Sequence, residues 1–338
     1  MTGTVLVTGG SGYIAGFVIR RLVETGWTVR ATIRSLAREP EVRAWLGVDD
    51  ARLSFVAADL TDDAGWAAAM AGCSHVAHLA SPLPAGAPAH EDELIVPARD
   101  GALRALRFAA DAGVGRVVMT SSVAAIAYGH GGDRTRFTEA DWTVVDGPGV
   151  YAYPKSKTIA ERAARDWLAQ AGGGPELVTV NPSAVLGPVL GPDFSASIEA
   201  VKKLLAGDLP GLPDLGFGIV DVRDVADLHV RCLTEPGIAG ERFIASGPFL
   251  KLADIAAVLR DEMGEAARRV PKMKLPDMLV RMAARFDPVL SQVVGELGHV
   301  RETPADHARA RLGWVPRPHR ETIVDTARSL IERGIVAA

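Results

Sequence analysis

The sequence predicts an α/β fold in which a doubly wound parallel sheet is joined to a smaller, mostly helical region. Two observations carry this prediction. In the first half of the chain, short runs of β-branched and apolar residues alternate with longer helical patterns, as expected for βαβ units with right-handed crossovers. Residues 182–218 are then rich in proline and glycine, and helical patterns return at 254–263 and 275–286.

The elements of the first half follow in a regular order. After the first strand, a helix places Ile14, Phe17, Val18 and Leu22 on one face, and Gly26 stops it. Further helical patterns cover residues 62–70, 91–112 and 155–170. The predicted strands are apolar runs of the kind that a parallel sheet buries on both faces: residues 4–8, 27–33, 53–57, 76–79, 116–120 and 177–180.

We expect two domains that interleave along the chain. Residues 1–185 form the first domain, and segments at about 218–232 and 240–247 return to it. Residues 186–217 and 248–338 form the smaller domain and the C-terminal region. The returning strands are expected near residues 218–222 and 242–245.

The composition excludes several classes of protein. A net charge of −4 over 338 residues creates no field for nucleic acid, and no run of Lys or Arg forms a basic tail. Cys73 and Cys232 are far apart, so they supply neither a disulfide framework nor a structural zinc site, and no metal is expected. A chain of this length can bury a core without such crosslinks.

No targeting or membrane segment is expected either. The chain enters an apolar run without a charged n-region or a cleavage site. The longest stretch without Asp, Glu, Lys or Arg is residues 64–90, which prolines and glycines interrupt, so it does not form a spanning helix. We expect a cytoplasmic protein with no membrane partner.

The turn after the first strand is the first candidate site. It reads Thr8-Gly9-Gly10-Ser11-Gly12-Tyr13-Ile14, and it opens the first helix directly. Glycines there allow the backbone to approach a diphosphate, and the helix directs its N–H groups and positive dipole end at that anion. A glycine-rich turn without a ligand is the alternative, but the position between strand and helix favours a dinucleotide. The candidate contacts are Gly9, Ser11, Gly12, Tyr13 and Ile14.

The end of the second strand indicates which dinucleotide is bound. Proteins that prefer NAD place an acidic residue about 20 residues after the glycines to hold the ribose 2′-hydroxyl. Residues 30–35 contain no acid here, and Arg34 is placed to clamp a 2′-phosphate, with Arg38 as a second contact. A solvated arginine at a strand end is the alternative. The missing carboxylate favours NADP(H).

Asp59 and Leu60, which follow the third strand, fit a contact to the adenine. An equally good interpretation is that Asp59 caps the helix expected to begin near Asp62.

The segment Tyr153-Pro154-Lys155-Ser156-Lys157 is the strongest catalytic signal. A Tyr and a Lys four residues apart lie on one face of a helix, and an ammonium beside a phenol lowers its pKa. Tyr153 could then donate a proton to a carbonyl oxygen, and Lys157 could also hold the nicotinamide ribose. Tyr151 and Lys155 show the same spacing, so spacing alone does not choose between the two pairs.

The fifth strand ends in hydroxyl groups. Thr120, Ser121 and Ser122 lie at the carboxyl edge of the predicted sheet, where ligands of open α/β sheets bind. A serine there can hydrogen-bond a substrate carbonyl and the alkoxide that develops from it. The alternative is a polar strand end that caps the next turn.

Together these segments resemble the extended short-chain dehydrogenase/reductase family, in its branch of dihydroflavonol, cinnamoyl-CoA and methylglyoxal/aldehyde reductases. The resemblance covers nearly the whole chain, down to the Leu312-Gly313-Trp314 region. The matching segments are Val7-Thr8-Gly9-Gly10-Ser11-Gly12-Tyr13-Ile14, Ala31-Thr32-Ile33-Arg34, His78-Leu79-Ala80-Ser81-Pro82, Thr120-Ser121-Ser122, residues 153–161, Asn181-Pro182-Ser183-Ala184-Val185-Leu186-Gly187-Pro188 and Val222-Arg223-Asp224-Val225-Ala226.

The resemblance implies a Rossmann-type NADP-binding domain, a smaller substrate-binding domain and a Ser-Tyr-Lys triad. It selects Tyr153 and Lys157 over the second pair, and Ser122 as the triad serine, with Ser121 as the fallback. It places Pro182 and Ser183 near the nicotinamide amide, and Ala80, Ser81 and Thr120 against the cofactor. The expected substrate pocket consists of Ser81, Ala125, Tyr128, Val185, Phe194 and Phe217.

The function expected from these residues is NADPH-dependent reduction of an aldehyde or ketone to the alcohol, by a monomer or homodimer with a small-molecule carbonyl substrate. The alternative on the same fold is an NAD(P)-dependent sugar-nucleotide epimerase or dehydratase. Such dehydratases use acid–base residues just after the fifth strand, but residues 123–125 are apolar. Residues 178–181 also lack the arginine that is common before Asn181 in sugar-nucleotide enzymes. A redox-sensing protein without catalysis is a third possibility, which an intact Ser122, Tyr153 and Lys157 set disfavours.

Overall fold

The computed structural model describes residues 3–48, 51–82, 88–286, 291 and 294–337. The strands are β1 (Thr4–Thr8), β2 (Thr28–Ile33), β3 (Leu53–Ala57), β4 (His75–His78), β5 (Arg116–Thr120), β6 (Glu176–Pro182), β7 (Ala184–Leu186), β8 (Gly216–Asp221), β9 (Arg242–Ala245) and β10 (Phe249–Lys251). The helices are α1 (Tyr13–Glu24), α2 (Glu39–Leu46), α3 (Trp66–Met70), α4 (Asp92–Asp111), α5 (Ala152–Ala171), α6 (Ala196–Ala206), α7 (Val222–Thr234), α8 (Leu252–Met263), α9 (Asp277–Ala283), α10 (Asp306–Leu312) and α11 (His319–Glu332).

The larger sheet has seven parallel strands in the order β3-β2-β1-β4-β5-β6-β9. The chain first runs from β1 outward to β3, and then returns to the other side of β1 with β4. This reversal between β1 and β4 opens a crevice at the carboxyl ends of the two strands, where ligands of such sheets bind. The doubly wound parallel sheet expected from the sequence is confirmed.

Helices cover both faces of this sheet. Val5, Leu6 and Val7 of β1 are fully buried, as a strand covered on both sides must be. Residues of α1 and α7 pack with alternate strand residues in one hydrophobic cluster, and residues of α3, α4 and α5 form a second cluster on the opposite face.

A second sheet lies in the smaller part of the chain. It has three strands in the order β10-β8-β7, with β8 parallel to β7 and antiparallel to β10. The expectation that residues 218–222 rejoin the parallel sheet is therefore wrong. An apolar run shows that a strand forms but not which neighbour it pairs with.

Two other observations support the expected interleaving of the two domains along the chain. Strand β9 pairs with β6, so the chain does return to the large sheet near 242–245, and α7 packs against α1. The domain boundary itself, near residue 185, stays a prediction. Strand β6 ends at Pro182 and β7 begins at Ala184, so Ser183 joins the two sheets there, while residues 246–248, between β9 and β10, form a second connection.

One helix is shorter than expected, because residues 62–70 are helical only from Trp66. Gly65 precedes it with φ 82° and ψ −20°, in the left-handed region that favours glycine. A Cβ at Gly65 would lie 2.0 Å from the Ala57 carbonyl oxygen. The turn after β3 therefore continues as far as Gly65, which places α3 close to the end of that strand.

Among the helices in the described ranges, none combines the length and the apolar character needed to cross a membrane.

Candidate active site

The glycine turn is held tightly between the ends of β2 and β4. Gly9 has φ 69°, and a Cβ there would lie 3.0 Å from the Ala80 Cα. Gly10 donates its N–H to the Thr32 carbonyl at 2.7 Å, and a Cβ at Gly10 would lie 2.8 Å from the Ala31 Cβ. Only a backbone without side chains fits this path, which leaves the surface of the turn open to a ligand.

Helix α1 begins at the same turn. Its N-cap is Gly12, and among the described residues no side chain caps the helix. The Tyr13 and Ile14 side chains pack against the core, so these residues offer their backbone to the crevice. The turn borders an open cleft of about 290 Å³. Its lining is Gly10, Ser11, Gly12, Tyr13, Gly16, Val42, Trp45, Leu46, Leu190, Gly191 and Asp193. The glycine turn and the first turn of α1 offer the N–H groups that fit the diphosphate of a dinucleotide, whereas the rest of this lining is mostly apolar.

The residues at the end of β2 suit a phosphate rather than a ribose hydroxyl. The Arg34 side chain is exposed directly after β2 and forms no ion pair within the described part of the chain. Its charge contributes to the lowered pKa of Asp59, after the larger effect of the hydrogen bonds from Thr61. Arg38 differs from Arg34, because its guanidinium already donates to Glu41 at 3.1 Å and to Asp193 at 3.0 Å.

Asp59 does not cap a helix. Its Oδ1 accepts from the N–H and the hydroxyl of Thr61 at 2.8 and 2.7 Å, within the turn after β3, whereas α3 begins only at Trp66. That alternative is wrong, and the contact of Asp59 and Leu60 with adenine stays a prediction. The Leu60 side chain packs against Gly101 of α4, where a Cβ would lie 3.0 Å from the Leu60 Cδ2.

A buried histidine organises the end of β4, and the sequence analysis assigned it no role. The Thr8 hydroxyl accepts from the N–H groups of Leu79 and Ala80, both at 3.0 Å, so its own hydrogen is donated to the His78 Nδ1 at 2.9 Å. Burial, and then the charge of Lys157, lower the pKa of His78 to about 4. A neutral His78 thus fixes the segment that leads to Ser81.

Ser122 and Tyr153 meet at the carboxyl end of β5. The Ser122 hydroxyl hydrogen-bonds the Tyr153 phenol and lies 3.4 Å from the Pro182 carbonyl oxygen. It also accepts from the Ala124 N–H at 3.1 Å, at the start of the short 3-10 helix Val123–Ala125. The Ser122 hydroxyl therefore both caps the next turn and contacts Tyr153.

Tyr153 is the second residue of α5, so Pro154 also lies in the first turn, where its missing N–H breaks no helical hydrogen bond. Burial raises the pKa of Tyr153, and the hydrogen bond from Ser122 acts in the opposite direction. The expected lowering of this pKa by Lys157 is wrong, because burial dominates. Tyr153 is protonated at neutral pH.

The Lys157 ammonium contacts the segment that follows β4. Its Nζ donates to the Ser81 hydroxyl at 2.9 Å and lies 5.8 Å from the centre of the Tyr153 ring. Burial lowers the pKa of Lys157 to about 8. The ammonium therefore links the end of β4 to the face of α5 that carries the tyrosine.

Ser121, Tyr151 and Lys155, the alternatives to the proposed triad residues, have partners outside the triad. The Ser121 hydroxyl donates to the buried Glu161 carboxylate at 2.6 Å, away from Tyr153. Lys155 forms an ion pair with Glu91 at 2.8 Å, and Tyr151 hydrogen-bonds Tyr128. The pair with the same spacing, Tyr151 and Lys155, thus does not converge on one volume.

The other predicted cofactor residues near β5 and β6 differ in what they offer. The Thr120 hydroxyl is engaged by His229: the His229 Nδ1 donates to the Val225 carbonyl at 2.8 Å, so its Nε2 accepts from Thr120 at 2.8 Å. Pro182 and Ser183 lie beside Ser122, at the joint between the two sheets.

The expected substrate pocket divides into two groups. Burial is the main cause of the raised pKa of Tyr128, and the nearby Tyr153 makes a smaller contribution; Ala125 is fully buried in the preceding 3-10 helix. Val185 is buried in the core near the joint between the sheets. Phe194 and Phe217 pack against the core of the smaller domain. Phe217 also borders a small apolar pocket there.

Two further residues complete the wall around Tyr128. The Arg301 guanidinium lies 4.4 Å from the Tyr128 ring centre, donates to the Ala127 carbonyl at 2.9 Å and forms an ion pair with Glu296. Burial raises the pKa of Glu296, and Arg301 opposes this shift. No sequence signal connects Arg301 to Ala127, because they are 174 positions apart.

A parallel sheet with a glycine turn at its switch point, and with a tyrosine, a lysine and a serine at its carboxyl edge, defines a Rossmann-type oxidoreductase that uses a dinucleotide. The family model of the NAD dependent epimerase/dehydratase family matches residues 5–244. The chain belongs to this family, the extended short-chain dehydrogenases/reductases.

Curated relatives cover most of the chain. Cinnamoyl-CoA reductase 2 of Arabidopsis thaliana is 33% identical over 337 residues, which span 98% of this chain and 93% of that protein. Cinnamoyl-CoA reductase CAD2 of Medicago truncatula is 33% identical over 283 residues, 81% of this chain and 82% of that protein. Dihydroflavonol 4-reductase of Zea mays is 32% identical over 296 residues, 85% and 80% respectively.

Solved structures show the same fold. Yeast methylglyoxal/isovaleraldehyde reductase Gre2, complexed with NADPH, superposes with a TM-score of 0.82 at 24% identity, covering 98% of this chain and 99% of that chain. Vestitone reductase from Medicago sativa gives 0.77 at 25% identity, covering 99% and 100%. UDP-glucose 4-epimerase from Thermotoga maritima gives 0.75 at 19% identity, covering 98% and 99%.

Proposed function

We propose that the protein is an NADPH-dependent reductase that converts an aldehyde or ketone to the alcohol. The observation that carries this proposal is the grouping of Ser122, Tyr153 and Lys157 beside the glycine turn, at the switch point of the parallel sheet. The curated relatives named above are reductases, and one solved structure with the same fold holds NADPH.

The residues present fit the cofactor along the whole crevice. The backbone of Gly9, Ser11, Gly12, Tyr13 and Ile14 would hold the diphosphate, because the turn is open and the first turn of α1 faces it. Arg34 would bind the 2′-phosphate, with Asp59 and Leu60 near the adenine. Ala80, Ser81, Thr120, Pro182 and Ser183 would line the nicotinamide end. Arg38 would contact the 2′-phosphate only after breaking its ion pair with Asp193 or Glu41.

The protein's own residues handle the proton and the carbonyl oxygen, while the reduced nicotinamide supplies the hydride when bound. Tyr153 donates its proton to the oxygen, because burial raises its pKa and keeps it protonated. Ser122 hydrogen-bonds the same oxygen and orients it. Lys157 supplies a positive charge close to the developing alkoxide and, through Ser81, near the ribose.

The substrate is a small carbonyl compound bound between the triad and the smaller domain. Ser81, Ala125, Tyr128, Val185, Phe194 and Phe217 would contact it. Tyr128, backed by Arg301 and Glu296, makes one wall polar, whereas Phe217 belongs to an apolar region. We further propose a monomer or homodimer in the cytoplasm that binds neither nucleic acid nor membrane. Buried free thiols at Cys73 and Cys232 suit a reducing compartment.

An epimerase or dehydratase on this fold is the less favoured function. The fold accommodates one, as the UDP-glucose 4-epimerase shows. However, Ala124 and Ala125, at the position where such dehydratases carry acid–base residues, are buried and apolar.

The test uses purified protein, NADPH and a panel of aldehydes and ketones, with the loss of NADPH absorbance as readout. We expect consumption of NADPH with at least one small aldehyde or aryl ketone, and much slower consumption of NADH. Tyr153→Phe should abolish turnover, because it removes the proton donor, while NADPH still binds. Full activity in Tyr153→Phe, or conversion of a UDP-sugar without net NADPH consumption, would overturn the proposal.

A further inference from the structure

Glu161 is a buried carboxylate on the same face of α5 as the catalytic pair. Tyr153, Lys157 and Glu161 follow at intervals of four residues, so they form one stripe along the helix. Glu161 has no exposed surface. A buried carboxylate is stable only when opposite charges and hydrogen-bond donors surround it. The contacts of Glu161 therefore indicate its role.

Each carboxylate oxygen of Glu161 has a different set of partners. Oε1 accepts from Arg242 at 2.7 Å, from Arg165 at 3.2 Å and from the Thr179 hydroxyl at 3.2 Å. Burial raises the pKa of Glu161, but the two arginines more than offset this, and the pKa lies below its usual value. This side of the group is an ion-pair cluster that keeps the carboxylate charged.

The other oxygen, Oε2, is directed at the strand that carries the triad serine. It accepts from the Ser121 hydroxyl at 2.6 Å and from the Asn181 Nδ2 at 3.0 Å, and Arg242, which also donates to Oε1, reaches it at 3.3 Å. The same Asn181 Nδ2 donates to the Ser122 carbonyl oxygen at 3.1 Å. One carboxylate oxygen therefore holds the residue before Ser122 directly and the backbone of Ser122 through one amide.

We propose that Glu161 is a positioning residue that sets the Ser122 hydroxyl against the Tyr153 phenol. The helix that carries the proton donor thereby also fixes the strand end that carries its hydrogen-bond partner. The inference rests on the proposed reductase function, since it concerns the same triad. It assigns Glu161 and Asn181 a part in the reaction without contact to substrate or cofactor.

A merely structural ion pair would behave differently. Disrupting a structural ion pair would lower the stability of the fold, but each molecule that remains folded would turn over substrate at the wild-type rate. A positioning residue lowers kcat in the folded protein, because a displacement of about 1 Å in a catalytic group costs up to about 100-fold in rate.

The decisive variant is Glu161→Gln, which keeps the shape and removes the charge. We expect kcat to fall by about 10- to 100-fold. The Kd for NADPH, measured by fluorescence titration of the enzyme without substrate, should stay within about threefold, because Glu161 does not reach the glycine turn. Rates are referred to NADPH-binding sites and measured well below the Tm.

Arg165→Gln is the matched control. Arg165 contacts Oε1 and Thr179, and on its other side it donates to the Gly240 carbonyl at 2.7 Å; within the described part of the chain it has no hydrogen bond to Ser121 or Asn181. Its loss should lower the Tm and leave kcat per NADPH-binding site within about twofold. If Glu161→Gln shows the same pattern as Arg165→Gln, the proposal is wrong.

A second variant decides the matter even if Glu161→Gln does not fold. Ser121→Ala removes one of the two contacts between Oε2 and the strand and introduces no charge. We expect kcat to fall several-fold with an unchanged Kd for NADPH, and an unchanged kcat would overturn the inference. Failure of the proposed function would look different, because the wild-type protein itself would then consume no NADPH with any carbonyl compound.

Discussion

At the scale of single residues, the site is defined by how burial changes the protonation of its groups. Burial lowers the pKa of His78 to about 4 and that of Lys157 to about 8, and it raises the pKa of Tyr153. Near neutral pH the crevice therefore contains a neutral imidazole, a protonated phenol and one ammonium group. The protonated phenol and the ammonium are the two groups that the proposed proton transfer to a carbonyl oxygen uses.

The pKa of Lys157 leads to a prediction about pH. The ammonium loses its proton as the pH rises through about 8, whereas Tyr153 stays protonated, so kcat/KM for NADPH should decline above pH 8. This parameter reports the free enzyme. Lys157→Arg, which retains its charge, should weaken the decline even if its overall rate is lower. If kcat/KM for NADPH declines in Lys157→Arg with the same midpoint as in the wild type, the decline is caused by the titration of another group.

Arg34 provides the second prediction at this scale. Arg34→Ala should raise the KM for NADPH by about 10- to 100-fold, the effect of losing a charge-assisted hydrogen bond, and should change the KM for NADH little. Arg20→Ala, at a partly exposed position of α1, is a control for the loss of one positive charge. Equal effects of Arg34→Ala on both cofactors would remove Arg34 from its proposed role.

At the scale of elements, turns decide where the helices begin and so where the crevice opens. Helix α3 is short because Gly65, in the left-handed region, extends the preceding turn. The same turn carries Asp59 and Leu60 at the edge of β3. A glycine that looks interchangeable in the sequence thus shapes the proposed adenine end of the site.

This gives a prediction about stability. Gly65→Ala should lower the free energy of unfolding by about 2–3 kcal/mol, because it adds backbone strain and a clash with the Ala57 carbonyl. Gly72→Ala is the matched control: its φ is 70°, but a Cβ there meets nothing within 4 Å, so a loss of about 1 kcal/mol is expected. Urea denaturation measures both. Equal losses would show that the clash relaxes without cost.

At the scale of the whole molecule, the sequence predicted the large sheet better than the small one. The strands 53–57 and 116–120 were predicted with their observed bounds, since buried parallel strands have a distinctive apolar pattern. Strand β8 was assigned to the wrong sheet, because its pairing with β7 and β10 depends on the path of the chain after Pro182 and leaves no trace in local pattern.

In the candidate site too, the sequence predicts local motifs but not contacts between distant parts of the chain. The glycine turn, the Tyr153 and Lys157 spacing and the serine pair could all be recognised, because each is a local motif. The choice of Ser122 over Ser121 needed either the family resemblance or the hydrogen bond between Ser121 and Glu161. Arg301, Glu296 and the direction of the Tyr153 pKa could not be predicted, because they depend on contacts and burial that only the fold creates.

If Phe217 contacts the substrate as proposed, the joint at Ser183 connects the substrate pocket to the triad. The small sheet carries Phe217, and it cannot turn on the large sheet without rotating the backbone at both connections, residues 182–184 and 246–248. The Pro182 carbonyl lies 3.4 Å from the Ser122 hydroxyl, so such a rotation reaches the triad. In chimeras that exchange the smaller region between relatives, the crossover should therefore lie upstream of Pro182, so that each small sheet keeps its own connection at residues 182–184.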